Sequence, residues 1–353
     1  MSLKMPNVDF TQLHQDIKCW AQEIGFQRIG VADIDLKLDS ERYRHWCEQG
    51  FHGTMDYMTR HESLRNNPQQ LVSDVQRVIV VSMNYLSAQT DMQAVEDGQE
   101  TAYIARYALG RDYHKLLRKR LDKLAQRITQ HVASHGYRAF CDSAPVLERA
   151  LARKAGIGWV GKNTMIMNRE QGSWFFLGEL FTNIPLPIDQ PIKDHCGSCS
   201  ACITVCPTQA IIKPYQLDAR RCIAYLTIEY KGSIDPEFRR LIGNRVFGCD
   251  DCQIICPWNK FAKITNETDF KPRHQLNSSQ LVDLFLWDEA TFLKNTEGSA
   301  IRRTGYICWL RNIAIGLGNA AKDEKVLAAL NQRRSHPSSL VREHVEWAIA
   351  QQQ

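Results

Sequence analysis

YRAFCDSAPVLERALARKAGIGWVGKNT, residues 137–164, decides what kind of α/β chain this is. Gly156, Gly158 and Gly161 satisfy G-x-G-x-x-G, and Gly156 through Lys162 satisfy the start of a P-loop until Asn163 stands where Ser or Thr is required. Either motif needs a strand feeding the glycines and a helix leaving them, so that the helix N-terminus faces a phosphate. Here the order is reversed. YRAFCD reads as a strand, Ser143 and Pro145 open a helix through VLERALARKA, and the glycines follow that helix. The glycines are predicted to turn the chain from a helix end into a strand, and no nucleotide is expected.

The flanking segments read as mixed α/β. Phe10, Leu13, Ile17, Trp20 and Ile24 form the stripe of an amphipathic helix that stops at Gly25. FQRIGVADI (26–34) and RVIVVSMNY (77–85) read as strands, and Leu117, Leu121, Leu124, Ile128 and Val132 mark a second amphipathic helix. NTMIMN (163–168) and SWFFLGELF (173–181) read as a hairpin across REQGS. PLPIDQPIKD (185–194) is a stiff, proline-rich connector of the kind found at domain boundaries. After a polar stretch at 266–279, RNIAIGLGNA (311–320) and HPSSLVREHVEWAIAQ (336–351) read as helices, either paired repeats or a cap on the neighbouring domain.

With 353 residues, 44% hydrophobic and 24% charged, the composition is that of a globular chain of two or three domains. A net charge of +5 permits an anionic partner without requiring one. MSLKMPNVDF lacks the apolar core of a signal peptide, and no apolar run is long enough to cross a bilayer, so a cytoplasmic location without membrane contact is expected. Twelve cysteines in a reducing compartment point to metal binding rather than disulfides.

Their spacing supports this. CGSCSACITVCP (196–207) is C-x2-C-x2-C-x3-C-P, and CDDCQIICP (249–257) repeats its last three cysteines. Three closely spaced thiolates wrap one cubane while the fourth, turned away before proline, reaches the cluster opposite, so two 4Fe-4S clusters are predicted. Structural zinc also uses four cysteines but prefers paired C-x2-C knuckles. In the second motif the missing ligand position falls on Val246, and Cys222 is the unassigned cysteine available to replace it. The expected sets are Cys196, Cys199, Cys202 and Cys256 for one cluster, and Cys206, Cys222, Cys249 and Cys252 for the other. Cys19, Cys47, Cys141 and Cys308 lie outside the module and are expected as small apolar residues of the interior. Electron-carrying clusters whose irons are all held by cysteine need a reaction centre elsewhere, and the N-terminal α/β domain is the place for it.

ARYALGRDYHKLLRKRL (105–121), CDSAPVLERALARKAGIGWVGKNT (141–164) and the cysteine module together resemble the epoxyqueuosine reductases, over nearly the whole chain. The resemblance includes a ferredoxin cysteine replaced by an upstream one, here Cys222, and a helical tail ending in LVREHVEWAIAQ. It implies three parts: a nitroreductase-like cobalamin-binding domain at 1–187, a ferredoxin-like two-cluster module at 188–262, and a HEAT-like helical repeat tail at 263–353. It also implies the activity, in which cobalamin reduced by the clusters converts epoxyqueuosine to queuosine at the wobble position of tRNA, with electrons from an external flavodoxin- or ferredoxin-type donor.

Asp142 then falls on the family's proton donor, with a pKa raised by a shielding corrin and substrate; on local sequence alone it reads instead as a helix N-cap. His114 matches the active-site histidine. Gly161, Lys162, Asn163 and Thr164 would line the corrin wall, and Arg65 would meet the cofactor's phosphate or amides. Lys115, Arg118, Lys119, Arg120, Lys123, Arg220, Arg221, Arg302 and Arg303 are the basic groups available to tRNA phosphates. Two other classes share these motifs: a corrinoid reductase of a small molecule, as in reductive dehalogenases, and a non-enzymatic ferredoxin-type carrier. The helical tail argues against the first and the large N-terminal domain against the second.

Overall fold

A computed structural model describes residues 8–88, 98–132 and 134–353; MSLKMPN of the opening decapeptide lies outside them. The first helix, Phe10–Ile24, is capped by Asp9, whose side chain accepts the backbone N–H groups of Thr11 and Gln12, and it ends at Gly25 with φ +100°. Leu13, Ile17 and Trp20 face inward, as the stripe predicts.

Four antiparallel strands form the main sheet in the order β1 (Arg28–Ala32), β2 (Arg77–Asn84), β7 (Phe175–Thr182), β4 (Tyr137–Phe140). Helices Phe10–Ile24 and Tyr113–Thr129 cover one face, burying Ile17, Leu117, Leu121 and Leu180 in a common core. The short helix Glu148–Lys154 covers the other with Val78, Val80, Phe140 and Phe181.

The expected hairpin across REQGS is corrected. β7 pairs with β2 and β4 along its length, while β6 (Ile166–Met167) pairs with β5 (Trp159–Val160), and only an Asn168–Gly172 bridge closes the turn. β7 is buried on both faces, so it takes a central place with a partner on each edge. β5 and β6 approach closely because Gly158 has no side chain; a Cβ there would stand 2.2 Å from the Met167 carbonyl oxygen. Gly156, at φ +69°, ends the preceding helix, and a strand, not a helix, follows the glycines. The reading against a nucleotide site therefore holds.

The helix expected from Ser143 and Pro145 begins later, at Glu148, and Leu147 at its cap position supplies no side-chain bond. Residues 142–147 form tight turns in which Ser143 N–H donates to the Cys141 carbonyl at 2.6 Å and Val146 N–H to that of Ala144 at 2.8 Å. Asp142 is therefore not a helix cap. Of the cysteines expected inside, Cys141 and Cys308 are buried, Cys47 is half-buried and Cys19 is exposed, which corrects that expectation for Cys19.

The C-terminal helices are Tyr306–Asn319, Glu324–Gln332 and Ser339–Gln352; the middle one was not legible as a separate stripe. They do not close a core of their own. Trp309, Leu310 and Val345 pack with Ile104 of β3 (Tyr103–Ile104) and Phe247 of β10 (Arg245–Phe247), two strands paired in parallel. Val246, at the missing ligand position, is fully buried in this core, so its side chain serves packing. Arg311 and Asn312 are fully buried as well. The Arg311 guanidinium donates to the carbonyls of Leu226, Tyr230 and Gly232 at 2.7–2.8 Å. Asn312 donates to those of Thr227 and Val246 at 2.8 and 2.9 Å. The carbonyls of Leu226 and Thr227 belong to the widened π-turn Tyr225–Glu229 that follows Cys222, and those of Tyr230 and Gly232 lie just beyond it, so the tail bonds backbone groups in and after the irregular turn.

Candidate active site

A cavity of about 510 Å³ opens where the sheet domain, the cysteine module and the tail meet. Asp142 and His114 line one wall, Cys249 and Gln253 another, and Arg303 of the tail closes a third.

Asp142 follows the edge strand β4 and has φ +57°, a left-handed conformation that costs a non-glycine residue about 1–2 kcal/mol. Three contacts hold it there. The Tyr113 hydroxyl donates to Asp142 Oδ2 at 2.7 Å, His114 Nε2 lies 3.3 Å from the same oxygen, and the Asp142 N–H donates to a carboxylate oxygen of Glu148. Tyr113 and His114 open the helix Tyr113–Thr129, whose cap is Asp112. The Asp112 carboxylate accepts the His114 N–H at 2.9 Å and also faces His114 Nδ1 at 2.6 Å, so one residue both starts the helix and fixes the imidazole with Nε2 toward Asp142. Tyr113 is held by Phe176, with ring centroids 3.8 Å apart and planes nearly parallel.

Burial would lower the His114 pKa, but the carboxylates of Asp112 and Asp142 outweigh it and push it up to about 9. For Asp142, burial would raise the pKa, but hydrogen bonds from His114 and Tyr113 and the charges of His114 and Arg303 hold it below the usual carboxylate range. About half of the Asp142 side-chain surface is exposed to the cavity. The pair is an imidazolium facing a carboxylate. Because the His114 pKa rises on folding, its contribution is complete below pH 6.5 and is lost as pH climbs through about 9. His114→Gln should therefore lower stability by roughly 2 kcal/mol on the acid side of that window while the carboxylates remain ionised. The gap in thermal midpoint should close on the alkaline side; a gap independent of pH would remove the ion pair.

The module cysteines lie close together: Cys202 is within electrostatic reach of Cys256, Cys196 and Cys199, Cys252 is within reach of Cys222, Cys206 and also Cys202, and Cys249 is within reach of Cys252. N–H groups are aimed at the sulfurs, as thiolate ligands require: Ala210 N–H at Cys206 Sγ, 3.2 Å, and the Trp159 indole N–H at Cys196 Sγ, 3.4 Å. The residues present fit two cubanes. Cys249, from the second set, is the one ligand that reaches the cavity wall.

Comparison with known proteins agrees with this geometry. Residues 65–143 match the family model described as epoxyqueuosine reductase QueG, and residues 195–259 match the 4Fe-4S double cluster binding domain. The epoxyqueuosine reductase of Pseudomonas aeruginosa is 58% identical over 342 residues, covering 97% of this chain and 95% of the relative. That of Escherichia coli K12 is 55% identical over 346 residues, covering 98% and 91%. This chain belongs to the epoxyqueuosine reductase family. Among solved structures of epoxyqueuosine reductases, one with an epoxyqueuosine-modified tRNA-Tyr stem loop superposes with a TM-score of 0.88 at 30% identity, covering 96% of this chain and 90% of that one. Another, from Bacillus subtilis with its catalytic aspartate loop swung out of the active site, gives the same score, identity and coverage.

Within this epoxyqueuosine reductase fold, the segment Gly161–Thr164 sits differently from the corrin wall expected of it. Lys162 Nζ donates to the carbonyls of Gly197 and Cys199 at 2.6 and 2.8 Å, and Asn163 Nδ2 donates to that of Cys252 at 3.1 Å. Gly161 packs against Asn163 and Met167, and the Thr164 carbonyl accepts from Arg149 at 2.7 Å. These residues tie both cluster loops to the sheet domain; Met165, next in sequence, is the one that reaches the cavity. Arg65 is packed beneath Tyr43, donates to the Tyr57 carbonyl and does not line the cavity. Of the basic candidates, Arg303 enters the cavity beside Glu229, Arg120 pairs with Glu267, Arg220 pairs with Asp218, and Lys115, Arg118, Lys119 and Lys123 lie on the exposed side of their helix.

Sequence reasoning missed Asp112, Tyr113 and Glu148. Asp112 carried a signal, since an aspartate directly before an amphipathic stripe is a cap. Tyr113 carried none because its partner Asp142 lies 29 residues away, and Glu148 carried none because it was read as the interior of a helix opened at Ser143, whereas the helix begins at Glu148 itself.

Proposed function

We propose that this chain reduces epoxyqueuosine to queuosine in tRNA, with cobalamin held in the cavity between Asp142 and the second cluster. One observation carries the reading: a single cavity is bounded on one side by an Asp–His proton couple and on another by Cys249, a ligand of an electron-carrying cluster. The conversion consumes two electrons and two protons, breaks both epoxide C–O bonds, forms a C=C bond and releases water. When bound, cobalamin supplies a low-valent cobalt nucleophile for opening the epoxide. The apolar side chains of Tyr107, Phe176, Met165 and Ile228 would lie against the macrocycle, and Gln253 and Ser299 would be the polar groups available to its edge.

In this proposal Asp142 delivers a proton to the departing oxygen, Tyr113 and His114 orient it, and His114 holds the proton that replenishes it. An external flavodoxin- or ferredoxin-type donor supplies electrons through the first cluster, whose Cys199 is exposed. The proposed parts are a nitroreductase-like domain at 1–187, the ferredoxin-like module at 188–262 and a HEAT-like tail at 263–353, a division supported by the proline-rich connector at 185–194. Arg303 and the exposed lysines of the 113–129 helix are proposed to meet tRNA phosphates, with affinity falling as salt rises. The described residues contain no helix long and apolar enough to cross a membrane.

The test is an anaerobic assay of reconstituted protein on an epoxyqueuosine-containing stem loop, with and without cobalamin. Queuosine should form only when clusters, cobalamin and reductant are all present. Formation without cobalamin overturns the cofactor assignment, and no formation with all three overturns the activity.

A further inference from the structure

Beneath the Asp142 loop lies a carboxyl pair that the proposed chemistry does not use. Glu179 is in the middle of β7, opposite Val80 on one neighbour and Phe140 on the other, and is fully buried. Phe175 and Phe181 flank it on the sheet face covered by helix Glu148–Lys154. Neither Glu179 oxygen receives a hydrogen bond from any protein donor. The group beside it is another carboxyl, Glu148, whose own oxygen accepts the Asp142 N–H. Two carboxylates have no hydrogen to place between them, and an ionised Glu179 in an apolar layer is prohibitively desolvated. One proton resolves both problems, because it gives Glu179 a donor and Glu148 a partner.

We propose that Glu148 and Glu179 share one proton and act as a latch holding the Asp142 loop turned into the cavity. Glu179 is the base of the latch, and Glu148 passes the restraint to the loop by gripping the backbone N–H of a residue in the left-handed region. Both are positioning residues, and the inference rests on Asp142 being the proton donor. Burial and the facing carboxyl push the Glu179 pKa well above the carboxylate range, while burial and the charge of Asp142 raise Glu148 only to about 7, because the Asp142 N–H, Glu179 and His114 pull it back down. Glu179 is thus the member that keeps the proton.

Hydrogen exchange of the Asp142 amide reads the latch without reference to turnover. In the cluster-loaded protein, Glu148→Ala and Glu179→Leu should each speed exchange by about tenfold, the worth of one hydrogen bond. Both should lower turnover on the stem loop with KM unchanged. Glu179→Gln, which retains a donor toward Glu148, should restore slow exchange and most of the turnover lost in Glu179→Leu. Slow exchange in Glu148→Ala, or a Glu179→Gln variant as fast-exchanging as Glu179→Leu, overturns the latch. If Glu179→Leu does not fold, the half-buried Glu148→Ala still decides. Should Asp142→Asn turn over normally while the exchange results hold, the donor assignment fails and the latch stands.

Discussion

Asp142→Asn is expected to retain iron and cobalamin at wild-type levels and to lower turnover about 10²–10⁴-fold, the usual worth of a positioned general acid. Asparagine matches aspartate in shape, keeps the N–H gripped by Glu148 and presents an oxygen to Tyr113 and His114. What it cannot do is carry a proton. In the proposed cycle the proton starts on His114, because the cavity favours imidazolium and carboxylate. Exclusion of water from the cavity would favour the neutral pair and so transfer of that proton across the 3.3 Å N···O separation to Asp142. Wild-type turnover should accordingly decline as pH rises through about 9, where the couple loses its proton. Single-turnover conversion of the stem loop, with metal content measured on the same sample, checks both statements. Conversion by Asp142→Asn within a factor of about two of wild type would remove Asp142 from proton delivery.

Cys222→Ser is expected to halve iron per chain and abolish reduction of the epoxide. Cys222 is grouped with Cys206 and Cys252, and the module has no other thiol to replace it, since the corresponding ferredoxin position is Val246 in the core of β10. The first set, from Cys196 to Cys256, shares no ligand with the second, so one cubane's signal should survive. Because Cys249 of the lost set faces the cavity, the remaining cluster would be separated from the reaction. Iron analysis and low-temperature paramagnetic resonance decide it. Unchanged iron would place another ligand on the second cluster.

The parts of this molecule that were legible in its sequence are those set by short-range rules. The stripes from Phe10 to Ile24 and from Leu117 to Val132 became helices with the expected inner faces, because periodicity alone chooses which side is buried, except that the second helix ends at Thr129 and leaves Val132 beyond it. The double-cluster module was legible because a cubane imposes ligand spacing on the loop that wraps it. Partnerships over long separations were not. β7 could not be assigned to β2 and β4 in place of its sequence neighbour β6, since an apolar strand does not name its partners. The lysine and asparagine after Gly161 looked free for a cofactor, yet their partners are carbonyls some 35 and 89 positions away. Asp142 shows both sides. Its position at a strand end was readable, but Tyr113 and Glu148, which displace it from a capping role, were not.

Arg311 has a consequence for anyone who would dissect this enzyme. Its guanidinium reaches from the last quarter of the chain into the turn behind Cys222 and closes on three carbonyls there. The C-terminal helices thus brace the segment that carries the proposed iron ligand. A chimera that grafts a foreign tail onto this body inherits the defect wherever that tail lacks a matching arginine, so the two segments must be exchanged together.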